Sequence, residues 1–426
     1  MSRFLRFFVH VGLILTAGCA SIEQFLVTPT APPPTSPTPA PDIATPDGTT
    51  SPDANATPTI PSTTQPQILR IWLPSRFDPN EATSAANMLK QRLADFEAEH
   101  PGLELDVRIK SDENELDIVN ALSVTSKAAP SALPDLLALS RPALESASLQ
   151  GLLHPMDGLS ATLDDPNWYA YARQLAHIQN TGYGLPFAGD TLILAYHSEV
   201  ERINSWNDIV ASENPLVFTA GDPKALVALS LYVSANGELV NAQGQPTLNA
   251  EVLTRVLTLI SDGVLAGVFA PSLGNVVSDE QVLQAYLGER ANMAIFWASH
   301  YRPPEGQFTI PLPGLEATSF SLGTGWVWAL AGSNVENQQL AADLADFLVA
   351  DDFLRDWTTA SGYLPTRPSS VDTENTTMTA ILESTQLIPS NDVLLVLGPI
   401  MQDAVNRVLA GEKPEVVAES VINQFP

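Results

Sequence analysis

Residues 69–139 read LRIWLPSRFDPNEATSAANMLKQRLADFEAEHPGLELDVRIKSDENELDIVNALSVTSKAAPSALPDLLAL. The fold class turns on how the apolar residues in this stretch are spaced. Leu69-Arg70-Ile71-Trp72-Leu73 is a short apolar run stopped by Pro74 and is expected as a strand. From Glu81 to His100, Ala82, Ala85, Leu89, Leu93 and Phe96 recur at three- and four-residue intervals, the spacing that places them on one side of a helix. Pro101-Gly102 ends that helix. Leu103, Leu105, Val107 and Ile109 then alternate with polar residues, which is strand periodicity. Glu113 to Lys127 returns to a helical pattern, and Asp135 to Leu139 is an apolar run of the kind a strand covered on both faces requires. Strand, helix, strand, helix, strand in this order implies α/β layering, with a mostly parallel sheet joined by crossover helices.

The alternation continues downstream. Leu216-Val217-Phe218-Thr219 reads as a strand, and Ala220-Gly221-Asp222-Pro223 leads into a helix from Lys224 to about Ser234. Asp222 is the expected N-cap and Pro223 the first helical residue. Ala250 to Asp262 reads as a helix, and Ala291 to Phe296 as a strand running into Trp297. Gln339 to Ala350 and Asp352 to Ala360 are amphipathic helices followed by Gly362 and Pro365; the last helices fall near Asn391–Leu409 and Glu415–Gln424.

Upstream of the folded part lie two segments of a different kind. The chain begins MSRFLRFFVHVGLILTAGCAS, with Arg3 and Arg6 ahead of an apolar run from Phe7 to Leu15 that only His10 interrupts. At about 1.5 Å per helical residue this run is too short for a ~30 Å hydrocarbon core and reads as a signal peptide, residues 1–18. Ala17 and Gly18 before Cys19 resemble the bacterial lipobox, with Thr16 where leucine is usual. That resemblance implies a lipidated Cys19 as the first residue of the mature chain. Residues 28–67 are dominated by Pro, Thr, Ala and Ser without an aromatic residue. Such a segment cannot build a core, and as extended polyproline it reaches roughly 100 Å. Residues 19–67 are therefore expected to be a tether.

Composition narrows the function. The 426 residues carry 20 Lys+Arg against 48 Asp+Glu, a formal charge of −28, so the chain is not expected to track a phosphate backbone. A single cysteine excludes an internal disulfide framework and a cysteine metal cluster. No GxSxG elbow, HExxH, phosphate loop or EF-hand loop occurs, and the six histidines are scattered. No enzyme activity, metal or cofactor is expected.

A series of segments carries a family resemblance. Phe96-Glu97-Ala98-Glu99-His100-Pro101-Gly102-Leu103-Glu104-Leu105 resembles a "FE.EHPGI.V" passage. Leu133-Pro134-Asp135-Leu136-Leu137 with Gly151-Leu152-Leu153-His154-Pro155-Met156-Asp157 resembles "PDVV…G.L.PLD". Gly182-Tyr183-Gly184-Leu185-Pro186-Phe187 with Leu194-Ala195-Tyr196-His197 resembles "YGLPF…LYYN", and Ser205-Trp206-Asn207-Asp208-Ile209 resembles "TWDEL". Ala235-Asn236-Gly237-Glu238-Leu239, Ala291 to Trp297, and Ser361-Gly362-Tyr363-Leu364-Pro365-Thr366-Arg367 are similar to its "GG.L", "GKAAM…G.W" and "TG.LPAR". In order over residues 68–426, they resemble the extracellular solute-binding proteins of bacterial ABC importers, the group that includes maltose- and oligosaccharide-binding proteins (family 1), in lipoprotein form.

The resemblance implies a two-lobe fold of the periplasmic-binding-protein type (type II), each lobe a parallel-type sheet flanked by helices, with hinge crossings near Thr191–Tyr196 and Ser319–Gly325. The first lobe would hold about 68–190 plus 325–362, and the second about 196–318 plus 363–426. The implied function is capture of an extracellular solute, a sugar or oligosaccharide, for delivery to ABC permease subunits by a monomer anchored outside the membrane. A polyamine or iron ligand, or a sensor or adhesion module uncoupled from transport, is the alternative. For iron, Tyr169 and Tyr171 are the one close tyrosine pair.

Ligands of open α/β sheets sit beyond the carboxyl ends of strands. This selects Pro74-Ser75-Arg76-Phe77, Ser140-Arg141-Pro142, and Trp297 with Ser299 and His300. The resemblance adds Gly189-Asp190, Gly323-Thr324-Gly325-Trp326 and Tyr232. Sugars need flat apolar faces and fixed polar groups. Trp297 and Trp326 are the candidate stacking walls, and Arg76, Arg141 and Asp190 the candidate hydroxyl partners. Trp72 is expected in the core, Trp206 as a helix-start anchor, and one of Trp326 and Trp328 facing inward. Leu139-Ser140-Arg141-Pro142 lacks the aromatic residue that maltose-binding members carry there, which leaves Phe77 as a substitute and weighs against a long maltodextrin.

Overall fold

The computed structural model describes residues 66–425 apart from Glu115 and Ala317; the signal peptide, Cys19 and all but the end of the tether lie outside them. In chain order the strands are β1 (Gln67–Pro74), β2 (Leu103–Lys110), β3 (Leu136–Ser140), β4 (His177–Ile178), β5 (Thr181–Gly182) and β6 (Gly184–His197). They continue with β7 (Leu216–Val217), β8 (Met293–Trp297), β9 (Gln307–Pro311), β10 (Ser321–Leu330) and β11 (Thr385–Leu387).

The opening stretch folds as its spacing predicts. β1 lies between β2 and β3, parallel to both, with Ile71 opposite Val107 on one side and Leu136 on the other. Helices cover both faces. Leu69, Ile71 and Leu73 share a core with Leu89, Leu93 and Phe96 of the helix Ser84–Glu99. Trp72 packs on the opposite face with Ile118, Val119, Leu122 and Leu144. The Ser84–Glu99 helix starts later than periodicity suggests, because the Thr83 hydroxyl accepts a hydrogen bond from the Ala86 N–H at 3.1 Å and so caps it. Ala82 is left outside.

The sheet is mixed rather than purely parallel. β10 runs antiparallel to β3 and to β6, while β7 runs parallel to β8. β6 is the longest strand and changes partners along its length. Residues 184–191 pair with β10, and residues 192–197 pair with β8 and β9. The two-lobe architecture follows from this exchange, because one strand serves two sheets. Helices Val335–Leu348 and Asp351–Ser361 pack on Ser84–Glu99, whereas Asn391–Leu409 and Pro414–Ile422 pack on Ala250–Leu265.

One expected helix start is corrected. Asp222 does not cap a helix beginning at Lys224. Its carboxylate accepts from the Lys224 N–H and its carbonyl from the Ala225 N–H, both at 3.0 Å, which closes a turn. Ala225 then takes a left-handed conformation (φ 47°), and the helix runs from Leu226 to Ser234.

Candidate ligand cleft

A cleft of about 220 Å³ lies where the strand ends of the two sheets meet β6. Ends of parallel strands and the loops after them supply most of it: Pro74 at the end of β1 and Arg76 just beyond it, Ser111, Asp112 and Asn114 after β2, and Ser140 and Pro142 around the end of β3. Asp222 and Lys224 follow β7, and Trp297 and His300 stand at the end of β8. Asp190 of β6, Thr324 to Trp326 of β10, Tyr363 and Ile388 complete the wall.

Four of the six candidate binding residues come together here: Arg76, Asp190, Trp297 and Trp326. Arg76 Nε meets Asp112 Oδ2 at 2.5 Å, and the guanidinium lies over the Trp326 ring, 4.9 Å from its centroid. The Ser75 hydroxyl donates to the other Asp112 oxygen. Burial pushes the Asp112 carboxyl up, but the hydrogen bonds from Ser75 and Arg76 together outweigh it and hold the group below the usual carboxylate range. Trp326 and Trp328 lie on one face of β10, since alternate residues of a strand point the same way. Trp328 is covered by Phe187, stacked at 4.4 Å, and is buried; Trp326 stands at the open end.

Asp190 is only 8% exposed. Its Oδ1 accepts from the backbone N–H groups of Thr191 and Ser299, both at 3.0 Å, and its Oδ2 from the Ser299 hydroxyl at 2.5 Å. Burial dominates and pushes this carboxyl up to about 6, while the Ser299 bonds and the nearby His300 pull it back. His300 Nδ1 lies 2.9 Å from Asp279 Oδ2. That hydrogen bond raises the imidazole against the opposing effect of burial, and Asp190 adds to the rise. The same Asp279 oxygen accepts from the Trp297 N–H at 2.9 Å, so one carboxylate positions both the histidine and the tryptophan.

Two candidates lie elsewhere, and each has a structural cause. The Arg141 side chain is 12% exposed, its Nε on Glu145 at 2.8 Å and its Nη1 on the carbonyls of Gln174, Leu175 and His177. It ties the helix Arg141–Leu149 to the segment before β4, and its neighbours Ser140 and Pro142 face the cleft instead. Tyr232 is fully buried in the Leu226–Ser234 helix. Its hydroxyl accepts from the Asn249 N–H at 2.6 Å and donates to the Glu238 carbonyl at 3.3 Å, which fixes the turn beyond the helix. Of the tyrosine pair, Tyr171 is buried and donates to the Pro365 carbonyl, and burial pushes its phenol far above the ordinary range. Among the described residues no group of three or more His, Asp or Glu is placed to hold a metal ion.

Ser111, Asp112 and Asn114 escaped the sequence reading. The strand-end rule that selected the loops after β1, β3 and β8 applies equally to β2, whose periodicity is plain, and would have found them. Tyr363 had no such signal, because it follows a helix and reaches the cleft only through the fold.

The sequence profile of a family described as bacterial extracellular solute-binding protein matches residues 91–384. A comparison with curated proteins gives no match. Among solved structures, the sugar-binding protein MalE of Xanthomonas citri superposes with a TM-score of 0.69 at 17% identity, covering 84% of this chain and 96% of that one. Maltose-bound MalE3 of T. maritima gives 0.64 at 16% identity, with 84% and 98% covered. A cyclo/maltodextrin-binding protein complexed with maltotetraose gives 0.67 at 15% identity, with 85% and 98% covered. At these identities the likeness is one of fold.

Proposed function

Because the chain belongs to the bacterial extracellular solute-binding protein family, we propose that its cleft captures a sugar outside the cell membrane and hands it to the transmembrane subunits of an ABC importer. The observation that carries this reading is the cleft's chemistry. Two partly exposed tryptophans, Trp297 and Trp326, share one space with the Arg76–Asp112 ion pair and the buried Asp190. Flat rings take the C–H faces of a pyranose, and fixed charged groups take its hydroxyls. The solved maltose and maltodextrin binders of the same fold support the sugar class.

The exchange of partners in β6 between Thr191 and Leu192 supports a hinge there, with lobes at about 68–190 plus 325–362 and 196–318 plus 363–426. A solute between the lobes favours their closed arrangement, which the permease reads; no covalent step is required. Residues 1–18 act as the leader, Cys19 carries the lipid, and 19–67 hold the receptor off the membrane surface. Replacing Cys19 with serine should release the protein from the membrane fraction; retention of Cys19→Ser there would reject the anchor.

The test of the ligand class is a thermal-shift screen with mono- and oligosaccharides, polyols, polyamines, amino acids and ferric citrate. A ligand at 100 times its Kd adds about 2.7 kcal/mol, a shift of a few degrees at this size. A shift with one saccharide family supports the proposal. A shift only with polyamines or ferric citrate keeps the fold and rejects the sugar.

A further inference from the structure

Beside the cleft lies a second chamber of about 390 Å³. The turn Ser75–Phe77, the first turns of the helix Ser84–Glu99 and the end of the helix Asp351–Ser361 line it. Arg76 and Tyr363 line both spaces and form their common wall. At about 220 Å³ the cleft alone falls below the ~300 Å³ where sites for small organic ligands usually begin.

A row of rings runs from one space to the other. Trp326 in the cleft meets Phe77 edge-on at 5.0 Å, and Phe77 meets Tyr363 at 5.5 Å. Tyr363 lies parallel to Trp357, 6.2 Å between centroids and 2° between planes. Phe77 and Trp357 are buried and hold the row in place; Tyr363 and Trp326 are its partly exposed members. The chamber's lining also includes Asp78, Glu81 and Ser361. Arg76 is drawn to the cleft side by Asp112 and the Trp326 face, so the wall between the two spaces is held in a defined position.

We infer that the chamber is the outer part of the ligand site, and that the ligand is an oligosaccharide whose distal residues pass over Arg76 and Tyr363 into the space between these two helices. The inference rests on the sugar reading of the cleft and specifies chain length. It also supplies the stacking surface that the loop after β3 lacks: the row that includes Phe77 takes the place of an aromatic residue at 139–142. A partly exposed ring, Tyr363, and two carboxylates lining one space suit a neutral saccharide chain, whose hydroxyls would donate to Asp78 and Glu81.

The test is a calorimetric titration of the full-chain protein with maltose, maltotriose and maltotetraose, and with cellobiose, cellotriose and cellotetraose. In the series that binds, affinity should rise at least tenfold from disaccharide to tetrasaccharide. Ala85→Trp and Ala360→Phe, which fill the chamber from its two sides, should abolish that gain and leave disaccharide affinity within about twofold. Two variants on different helices guard against one failing to fold, and each is checked by its melting temperature. Equal affinity for all lengths, or a gain that survives both folded variants, would overturn the chamber while disaccharide binding still upheld the sugar reading. No binding in either series would remove both.

Discussion

Asp190 keeps its position through three hydrogen bonds at the point where β6 leaves one sheet for the other. Its folded-state value of about 6 lies above the ordinary 3.8. The folded protein therefore binds a proton between those values more readily than the unfolded chain does. The cost of this carboxylate grows as pH rises from about 3.8 to 6 and is constant above that. Two units correspond to about 3 kcal/mol as an upper bound. Asparagine can keep the pattern, with its oxygen accepting the two N–H groups and its nitrogen donating to the Ser299 hydroxyl. Asp190→Asn should therefore melt a few degrees higher than the native protein at pH 7.5, with the gap narrowing toward pH 5 in thermal denaturation. A uniform loss of stability at both pH values would contradict the buried-charge account. The two tryptophans of β10 separate packing from binding. Trp328→Ala should cost about 3–5 kcal/mol in denaturant unfolding, whereas Trp326→Ala should cost little and weaken sugar binding instead. Sequence could not distinguish these roles, because alternation places both on one face and only the cover from Phe187 decides which is core. Arg141 is held away from the cleft for a related reason. The strand-end rule selects its loop, but the carbonyls of residues 174–177 that capture its guanidinium belong to a segment distant in sequence.

At the scale of elements, periodicity was a reliable guide wherever an element buries one face by itself. β1, β2, β3 and the helices around 84–99, 250–265 and 391–409 follow their apolar spacing to within a few residues. It failed where a side chain and backbone compete, as at Asp222, whose carboxylate closes a turn rather than capping a helix. That loop carries cleft residues and is pressed by the helix Asn391–Leu409. A Cβ at Gly398 would overlap the Pro223 carbonyl. Replacing an interior helical glycine by alanine ordinarily stabilises by about 1 kcal/mol. Here the overlap with backbone should win, and overpacking typically costs 1–3 kcal/mol. Gly398→Ala should lower the melting temperature and weaken ligand binding together, through the 222–225 loop. A stabilised variant with native affinity would show that the loop yields freely.

At the scale of the molecule, α/β layering was legible in residues 69–139, but the division into lobes was not. No local spacing signals that β6 serves two sheets, since both halves are almost wholly buried. A crossing near Thr191–Tyr196 is what the family resemblance implies; the spacing of the residues alone gives no such signal. If β6 is the hinge, saturation with a binding sugar should reduce the radius of gyration measured by small-angle scattering, and an unchanged radius would argue for a preformed rigid site. The central claim is that a sugar binds between Trp297 and Trp326 beside Asp190. It is tested most directly by calorimetric titration of saccharides into the native protein, Trp297→Ala and Asp190→Asn. The account predicts saturable one-to-one binding by the native protein, weakened at least tenfold in each variant while both remain folded. A folded native protein that binds no saccharide, or variants that bind as well as the native chain, would contradict it.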